Sequence, residues 1–278
     1  STKATNRKHE WQKDVIPTVG TNFQLEGQTF VAESITPTTR LNNLCSISGH
    51  YVEVSDSTIS QDHAGASNEL DYQIVLHTKA LKRDMEYSML QNTAPATGNS
   101  STAQTFAALP QWYVTNTVLG SGGANVTYTN SPGSARTDGT QAAITEANVK
   151  AVLQSIFSNS SEPIDMIMCG PYNKQQISGF AGPTGTYKVN QAADMELTAA
   201  FDVYRSDYGT HKVVPNRFQR ERDLHFLNTD MLAVAYFRQF VIQPLAKTGD
   251  AERAQMLSEY TLEVRNETAL GLYADLTT

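Results

Sequence analysis

Leu245-Ala-Lys-Thr-Gly-Asp-Ala-Glu-Arg-Ala-Gln-Met-Leu-Ser-Glu-Tyr-Thr-Leu-Glu-Val-Arg-Asn-Glu267 is the stretch whose reading decides the fold. Its opening is a polar turn, in which Gly249 can supply a positive φ. The chain then runs into Tyr260-Thr-Leu-Glu-Val-Arg265, where apolar and polar residues alternate with the period of a strand. Upstream, Ala200-Phe-Asp-Val-Tyr-Arg-Ser-Asp-Tyr-Gly-Thr-His-Lys-Val-Val-Pro-Asn-Arg-Phe218 reads the same way. Neither stretch carries chemistry. A chain whose best-ordered signals are all scaffold is expected to assemble.

Outward from these strands, the middle of the chain predicts helices beside a sheet. Residues 145–158 form a helix with Thr145 as N-cap and Ile144 and Val149 in the hydrophobic-staple positions. Val149, Val152, Leu153, Ile156 and Phe157 make one apolar stripe along it. A buried strand, Ile164 to Cys169, leads to Gly170-Pro171, which opens a short helix with Pro at its first position. Small-residue linkers occupy 93–106 and 120–140, and Leu109-Pro-Gln-Trp-Tyr-Val114 between them predicts an aromatic piece of core.

Between Ser67 and Asn92 there is no Gly or Pro, and Leu70, Ile74, Leu81, Met85 and Met89 recur at helical spacing. Asn68 with Asp71 resembles a cap, Glu69 and Asp71 place negative charge in the first turn, and Asn92 and Pro95 end the helix. Before it, Pro17, Gly20, Gly27, Pro37 and Gly49 break the first ~60 residues into short pieces. Residues 9–58 read as a long irregular hairpin with too few large apolar residues for a core of its own. It must find its packing partner elsewhere, such as on another subunit. The whole is an α+β chain.

At 278 residues the chain can bury a sizeable core as one large domain or two smaller ones. A net charge of −7 argues against a surface meant to grip nucleic acid, which needs clustered Lys and Arg. Cys45 and Cys169 are too few for a disulfide framework, and Cys169 ends an apolar run, as a buried free thiol would. No apolar run approaches the ~20 residues that span a bilayer, and the first residues have no secretion-signal core. Without a secretory route, the sequons at Asn99, Asn125, Asn159 and Asn266 are chance in a chain rich in Ser, Thr and Asn.

No residue meets the requirements of a catalytic role, and no cofactor or metal is implied. Asp62-His63 is the nearest thing to a general-base pair, but it sits in a loop without a nucleophile. His77, His211 and His225 lack metal-ligand spacing. Glu259, Glu263 and Glu267 recur every four residues within a segment that alternates like a strand. Gly120-Ser-Gly-Gly123 is not followed by Gly-Lys-Ser/Thr, so a phosphate loop is not indicated.

A resemblance gathers these pieces. His9-Glu-Trp-Gln-Lys-Asp14, Asn22, Glu26-Gly27 and Thr36-Pro-Thr-Thr-Arg-Leu-x-Asn43 resemble the opening of a family of tailed-bacteriophage major capsid proteins. So do Ala64-Gly65, Glu69-Leu-x-Tyr-Gln73 and Leu81-Lys-Arg-Asp-Met-Glu86. Phe201-Asp-Val-Tyr204, Val213-Val-Pro-Asn-Arg-Phe218, Leu245-Ala-Lys-Thr-Gly-Asp-Ala251 and Glu259-Tyr-Thr-Leu262 continue it. These blocks span most of 9–118 and 200–276, and their order and number make the match specific; 119–199 matches only in pattern.

The resemblance implies the Hong Kong 97-like phage capsid fold. Residues 1–8 would be an N-terminal arm remnant, 9–60 an extended β-hairpin loop, and 61–278 the peripheral and axial domains with a spine helix at 67–92. Family members carry a segment with a Thr-Pro-Phe stretch ahead of the His-Glu-Trp block; its lack here fits removal by a maturation protease. The implied function is to self-assemble into hexamers and pentamers as the icosahedral head shell around double-stranded DNA. That DNA is held without sequence-specific binding, and an acidic lining would repel it.

The portal protein and cement proteins are expected partners, with no membrane. The expected location is the virion, after assembly in the host bacterial cytoplasm. Inter-subunit contacts are expected at Trp11, Arg40, Lys79, Lys82 and Arg83. A phage decoration or head-associated binding protein is the alternative, against which the long helix counts. A cytoplasmic hydrolase using His63 or His225 is the third reading, and it requires a deep polar pocket.

Overall fold

A strand of fourteen residues needs hydrogen-bonding partners on both edges, and Ala251–Val264 finds them on strands from opposite ends of the chain. The computed structural model describes residues 1–278 apart from 17, 18, 22, 30–34, 36, 62–64, 66, 67, 161 and 181–202. In chain order the strands are β1 (Thr2–Lys3), β2 (Lys8–Lys13), β3 (Thr39–Leu44) and β4 (Ser46–Ser55), followed by helices α1 (Asp56–Ile59) and α2 (Glu69–Leu90). Then come β5 (Thr117–Val118), α3 (Glu146–Asn159), β6 (Met166–Cys169) and α4 (Pro171–Ser178). The chain closes with β7 (Val203–Ser206), β8 (Gly209–Pro215), β9 (Leu224–Leu227), β10 (Leu232–Leu245), β11 (Ala251–Val264) and β12 (Gly271–Tyr273).

These strands make three sheets among the described residues. The first has the order β1-β10-β11-β4, with β11 antiparallel to both long neighbours and β1 added in parallel at Thr2–Lys3. The turn between β10 and β11 uses Gly249 at φ +87°, a conformation open to Gly at little cost. The second sheet has the order β5-β12-β9-β6-β8-β7, and the third is the two-stranded β2-β3.

The long helix forms where its spacing predicts. Asn68 caps it by accepting from the Leu70 N–H at 3.0 Å, while its own amide donates to Asp71 at 3.0 Å. At 1.5 Å per residue the 22 residues run about 33 Å. Leu70, Ile74 and the buried Leu81 pack on Val52 and Val54 of β4 and Met256 of β11. The helix thus covers one face of the first sheet.

On the second sheet, α3 lays Val149, Val152, Leu153 and Ile156 on Ile167, Leu224, Phe226 and Tyr273. Its cap is as expected, with Thr145 accepting from Asn148 N–H. Gly271 permits the close approach: a Cβ there would come within 2.7 Å of Val152 and Ile156 methyl groups. Phe157 departs from the expected stripe. It is 66% exposed and meets Tyr208 at 5.1 Å between ring centroids. At 100° per residue it turns off the edge of a stripe already filled by Val149, Val152 and Ile156. A third cluster, centred on Trp112, Tyr113, Leu262, Val264 and Leu272, takes residues from both large sheets.

The hairpin read over 9–58 ends earlier than its sequence suggests. Pairing between β2 and β3 stops at Lys8 opposite Leu44, and β4 leaves it to pair along β11 from Tyr260 to Ala251. The alternation of Tyr51-Val-Glu-Val predicts a strand correctly but cannot name its partner. Downstream, β9 and β10 are separated by a short 3-10 turn at Thr229–Met231.

Two substitutions separate these packing roles. Leu81→Ala, at a site 1% exposed, should lower subunit stability by roughly 2–5 kcal/mol in urea unfolding of unassembled protein. Phe157→Ser should change it by no more than about 0.5 kcal/mol.

Candidate assembly interface

The hairpin joins the body through a few polar contacts at its root. Trp11 of β2 donates from Nε1 to the Val264 carbonyl at 2.9 Å, and its ring lies 5.5 Å from that of Trp112. Asn43 of β3 is buried and fully occupied. Its amide donates to the Ala107 and Leu262 carbonyls at 3.0 and 2.8 Å, and its oxygen accepts from Ala107 N–H at 2.8 Å. His9 Nε2 sits 2.9 Å from Glu263 Oε2, which also accepts from Thr2 at 2.7 Å. Arg265 donates to the other oxygen at 2.9 Å.

These contacts hold the Glu263 carboxyl down to about 2, the His9 hydrogen bond contributing most while burial pushes the other way. The N-terminal arm, the hairpin and β11 meet at this one carboxylate.

Beyond the root, the described apolar residues of the hairpin stand in water. Val15, Ile16, Val19, Phe23, Leu25 and Ile35 are each between 69% and 99% exposed. A monomeric protein rarely leaves such a run of large apolar side chains in water. From Asp14 to Thr38 the sequence has three acidic residues, Asp14, Glu26 and Glu33, and no Lys or Arg.

The five residues expected at inter-subunit contacts fall into three groups. Trp11 turns inward, onto Val264 and Trp112. Arg40 is exposed at the hairpin root and reaches Glu10 at 3.4 Å across β2-β3. Lys79, Lys82 and Arg83 lie together on the exposed face of α2, opposite the face that packs on the sheet. Arg83 rests over the Phe218 ring at 5.3 Å.

The histidines weighed for chemistry have structural surroundings. His225 is wholly buried beside Tyr113, whose hydroxyl lies 3.1 Å from its Nδ1. Burial, with Arg136 and Arg220 nearby, pushes its pKa to about 3, so it stays neutral. His211 is buried between the Ile164 carbonyl and Ser206, and His77 meets His50 ring to ring on α2. Asp62 and His63 lie outside the described residues. Both cysteines are free and buried, and burial raises each thiol to about 11. No helix among the described residues is long and apolar enough to cross a membrane.

A buried ion cluster is the feature that sequence reasoning missed. Arg136, with no side-chain exposure, donates to Asp138 and Asp223 at 3.1 Å and to Asp275 at 3.4 Å. Arg220 pairs with Asp138 and Asp223, and Arg222 with Asp138 and Asp275. Burial raises Asp223 to about 6 against the pull of Arg220 and Arg136. Burial acts on Asp275 too, but the Gly139 N–H, Arg136 and the Gly120 N–H outweigh it and hold that carboxyl low. The charged run Arg220-Glu-Arg-Asp223 was the one hint; its partners lie 53 to 87 residues away, in a linker and near the C-terminus. The cluster fastens the irregular 120–140 segment to the second sheet. Asn92, just past α2, grips the same segment by exchanging two hydrogen bonds with the Arg136 backbone.

Comparisons with known proteins come to the same architecture. A family model described as SU10 major capsid protein matches residues 1–277. No curated protein matches the sequence. Among solved structures, one titled "Cyanophage A-1(L) capsid asymmetric unit" is similar over 100% of this chain and 90% of its own, with 13% identity and a TM-score of 0.63. "Capsid of native GTA particle computed with C5 symmetry" is similar over 99% and 87%, with 10% identity and a TM-score of 0.63. A chain from Gordonia phage Cozz is similar over 100% and 83%, with 14% identity and a TM-score of 0.60.

The two polar anchors make separate predictions. Glu263 has a depressed folded pKa, so its stabilisation is full above about 4.5 and is lost as pH falls through about 2. Glu263→Gln should therefore cost roughly 3 kcal/mol at pH 7, and the gap from the unmodified chain should close between pH ~4.5 and ~2 in a pH series of thermal melts. Arg136→Met strands buried carboxylates and should cost roughly 3–5 kcal/mol in urea unfolding.

Proposed function

Because the chain belongs to the SU10 major capsid protein family, and so is a phage head-shell protein with the Hong Kong 97-like fold, we propose how its parts build that shell. Residues 9–44 act as the extended loop that reaches over a neighbouring copy. Helix α2 serves as the spine, the sheet β1-β10-β11-β4 as the peripheral domain, and the six-stranded sheet as the axial domain that meets the capsomer centre. Copies associate as hexamers and pentamers that close into an icosahedral shell around double-stranded DNA. The chain works without catalysis, assembles in the bacterial cytoplasm, and joins the portal protein and any cement proteins through the finished shell.

The observation that carries this reading is the hairpin tip. Six large apolar side chains, Val15, Ile16, Val19, Phe23, Leu25 and Ile35, are left in water by their own subunit. Burying apolar surface yields about 25 cal/mol per Å², so covering this tip supplies a driving force available only between copies. The net charge of −7 fits a shell that packs DNA densely without gripping its phosphates.

Deleting only the tip tests the reading. Residues 14–38 would be replaced by a two-residue turn, so that the root contacts of Trp11 and Asn43 and the whole of β4 are kept. The product should remain folded by circular dichroism yet form no closed shells by negative-stain electron microscopy. Shells of normal diameter from this deletion would refute the role given to the loop.

A further inference from the structure

The end of α3 opens into a recess that the fold leaves unfilled. Phe157, 66% exposed, and Tyr208 from the β7–β8 turn stand with ring centroids 5.1 Å apart. With Glu162, Pro163 and the last turn of α3 they line a cavity of about 520 Å³. Among the described residues no Lys or Arg lines it. Glu162 is exposed and makes no ion pair among the described residues. The helix adds to the negative side, because α3 ends here with no basic residue in its last turn to offset its dipole. Lys150, about two turns earlier, is already held by Glu146 at 2.7 Å. Two aromatic faces, a carboxylate and a helix C-terminus around one hollow suit an organic cation.

The other face of the same sheet edge carries such cations. Strand β7 is the last of its sheet and pairs with β8, Val203 opposite Lys212 and Arg205 opposite Thr210. Tyr204 and Val213 turn toward the cluster under α3. Strand alternation therefore sends Val203, Arg205, Lys212 and Val214 to the opposite side. All four are exposed, and the two cations make no ion pair among the described residues. We propose that this basic face of one copy docks on the next copy, seating Arg205 or Lys212 in the recess formed by Phe157, Tyr208 and Glu162. The contact rests on the ring of copies proposed above. A subunit cannot fill its own recess, since the two groups lie on opposite faces of one sheet. The contact is therefore heterologous, and such a contact repeated about an axis closes a ring. The two faces match in charge and in apolar character, one aromatic and acidic, the other basic and flanked by valines. A free polyamine would satisfy the recess but leave Val203 and Val214 in water.

Charge exchange in the full-length chain tests the contact. Glu162→Lys should lower the yield of closed shells in negative-stain electron microscopy roughly tenfold or more, and so should Arg205→Glu with Lys212→Glu. All three changes combined should restore the shells. The positions are exposed, and circular dichroism checks that each variant is folded. Normal yield from both charge changes, or no recovery when they are combined, overturns the proposal. A second measurement uses Ser158→Cys with Lys212→Cys in one chain, treated as shells with a short bis-maleimide. A ladder of covalent oligomers should appear on a denaturing gel, while either cysteine alone gives none, because Cys45 and Cys169 are buried. Shells of the double variant that yield only monomer, or a ladder from Ser158→Cys alone, overturn the proposal. An unmodified chain that forms no shells would instead overturn the shell reading on which the proposal rests.

Discussion

Strand β11 can be central only because its buried carboxylates are answered. From Ser258 to Val264 it is buried on both faces, and that stretch contains Glu259, Thr261 and Glu263. Glu259 is met by Arg238 from β10 at 2.7 Å, and Glu263 by His9, Thr2 and Arg265. An unanswered buried carboxylate would cost several kcal/mol, more than a strand of this length can absorb in a marginally stable chain. The answered ones fix which segments must lie against β11. The N-terminal arm and the hairpin root are therefore tied to the C-terminal strand by electrostatics as well as by packing.

The same constraint divides the hairpin into two parts with different fates. Its root is specified by the polar contacts of His9 and Asn43 and by Trp11 on Trp112. Among the described residues of its tip, Val15, Ile16, Val19, Phe23, Leu25 and Ile35 are left uncovered by their own subunit. An extension anchored firmly at one end and incomplete at the other is suited to closed assembly, because its energy is recovered only when a neighbour is present. The ion cluster around Arg136 works in the opposite sense. Three arginines and three aspartates cancel inside one subunit and hold the irregular 120–140 segment in a single arrangement.

Local signals in the sequence survived almost intact. The caps at Asn68 and Thr145, the strand ending at Cys169 and the helix begun by Pro171 depend on neighbours within four residues, and the structure has them. Phe157 failed because a stripe defined by 3.6-residue periodicity has a width, and its edge is set by what lies opposite. The hairpin is shorter than its sequence suggests for a similar reason: alternation marks Ser46–Ser55 as a strand, but hydrogen-bond partners are chosen in three dimensions. The Arg136 cluster was illegible because its members are ordinary surface-type residues until distant segments bury them together.

The sequence by itself determined the three longer helices, most strands, the acidic balance and the absence of a recognisable catalytic pattern, since each is written in spacing or composition. It also carried the ordered blocks that resemble phage capsid proteins, with the closing stretch Leu245–Glu267 among them. Tertiary structure alone decided that this stretch is the middle strand of its sheet, with β10 on one edge and β4 on the other. It alone decided which carboxylates are paired, and which apolar residues of the hairpin and of α2 remain in water. Those outcomes depend on contacts between residues dozens to hundreds of positions apart, and such contacts leave no period in the chain that makes them.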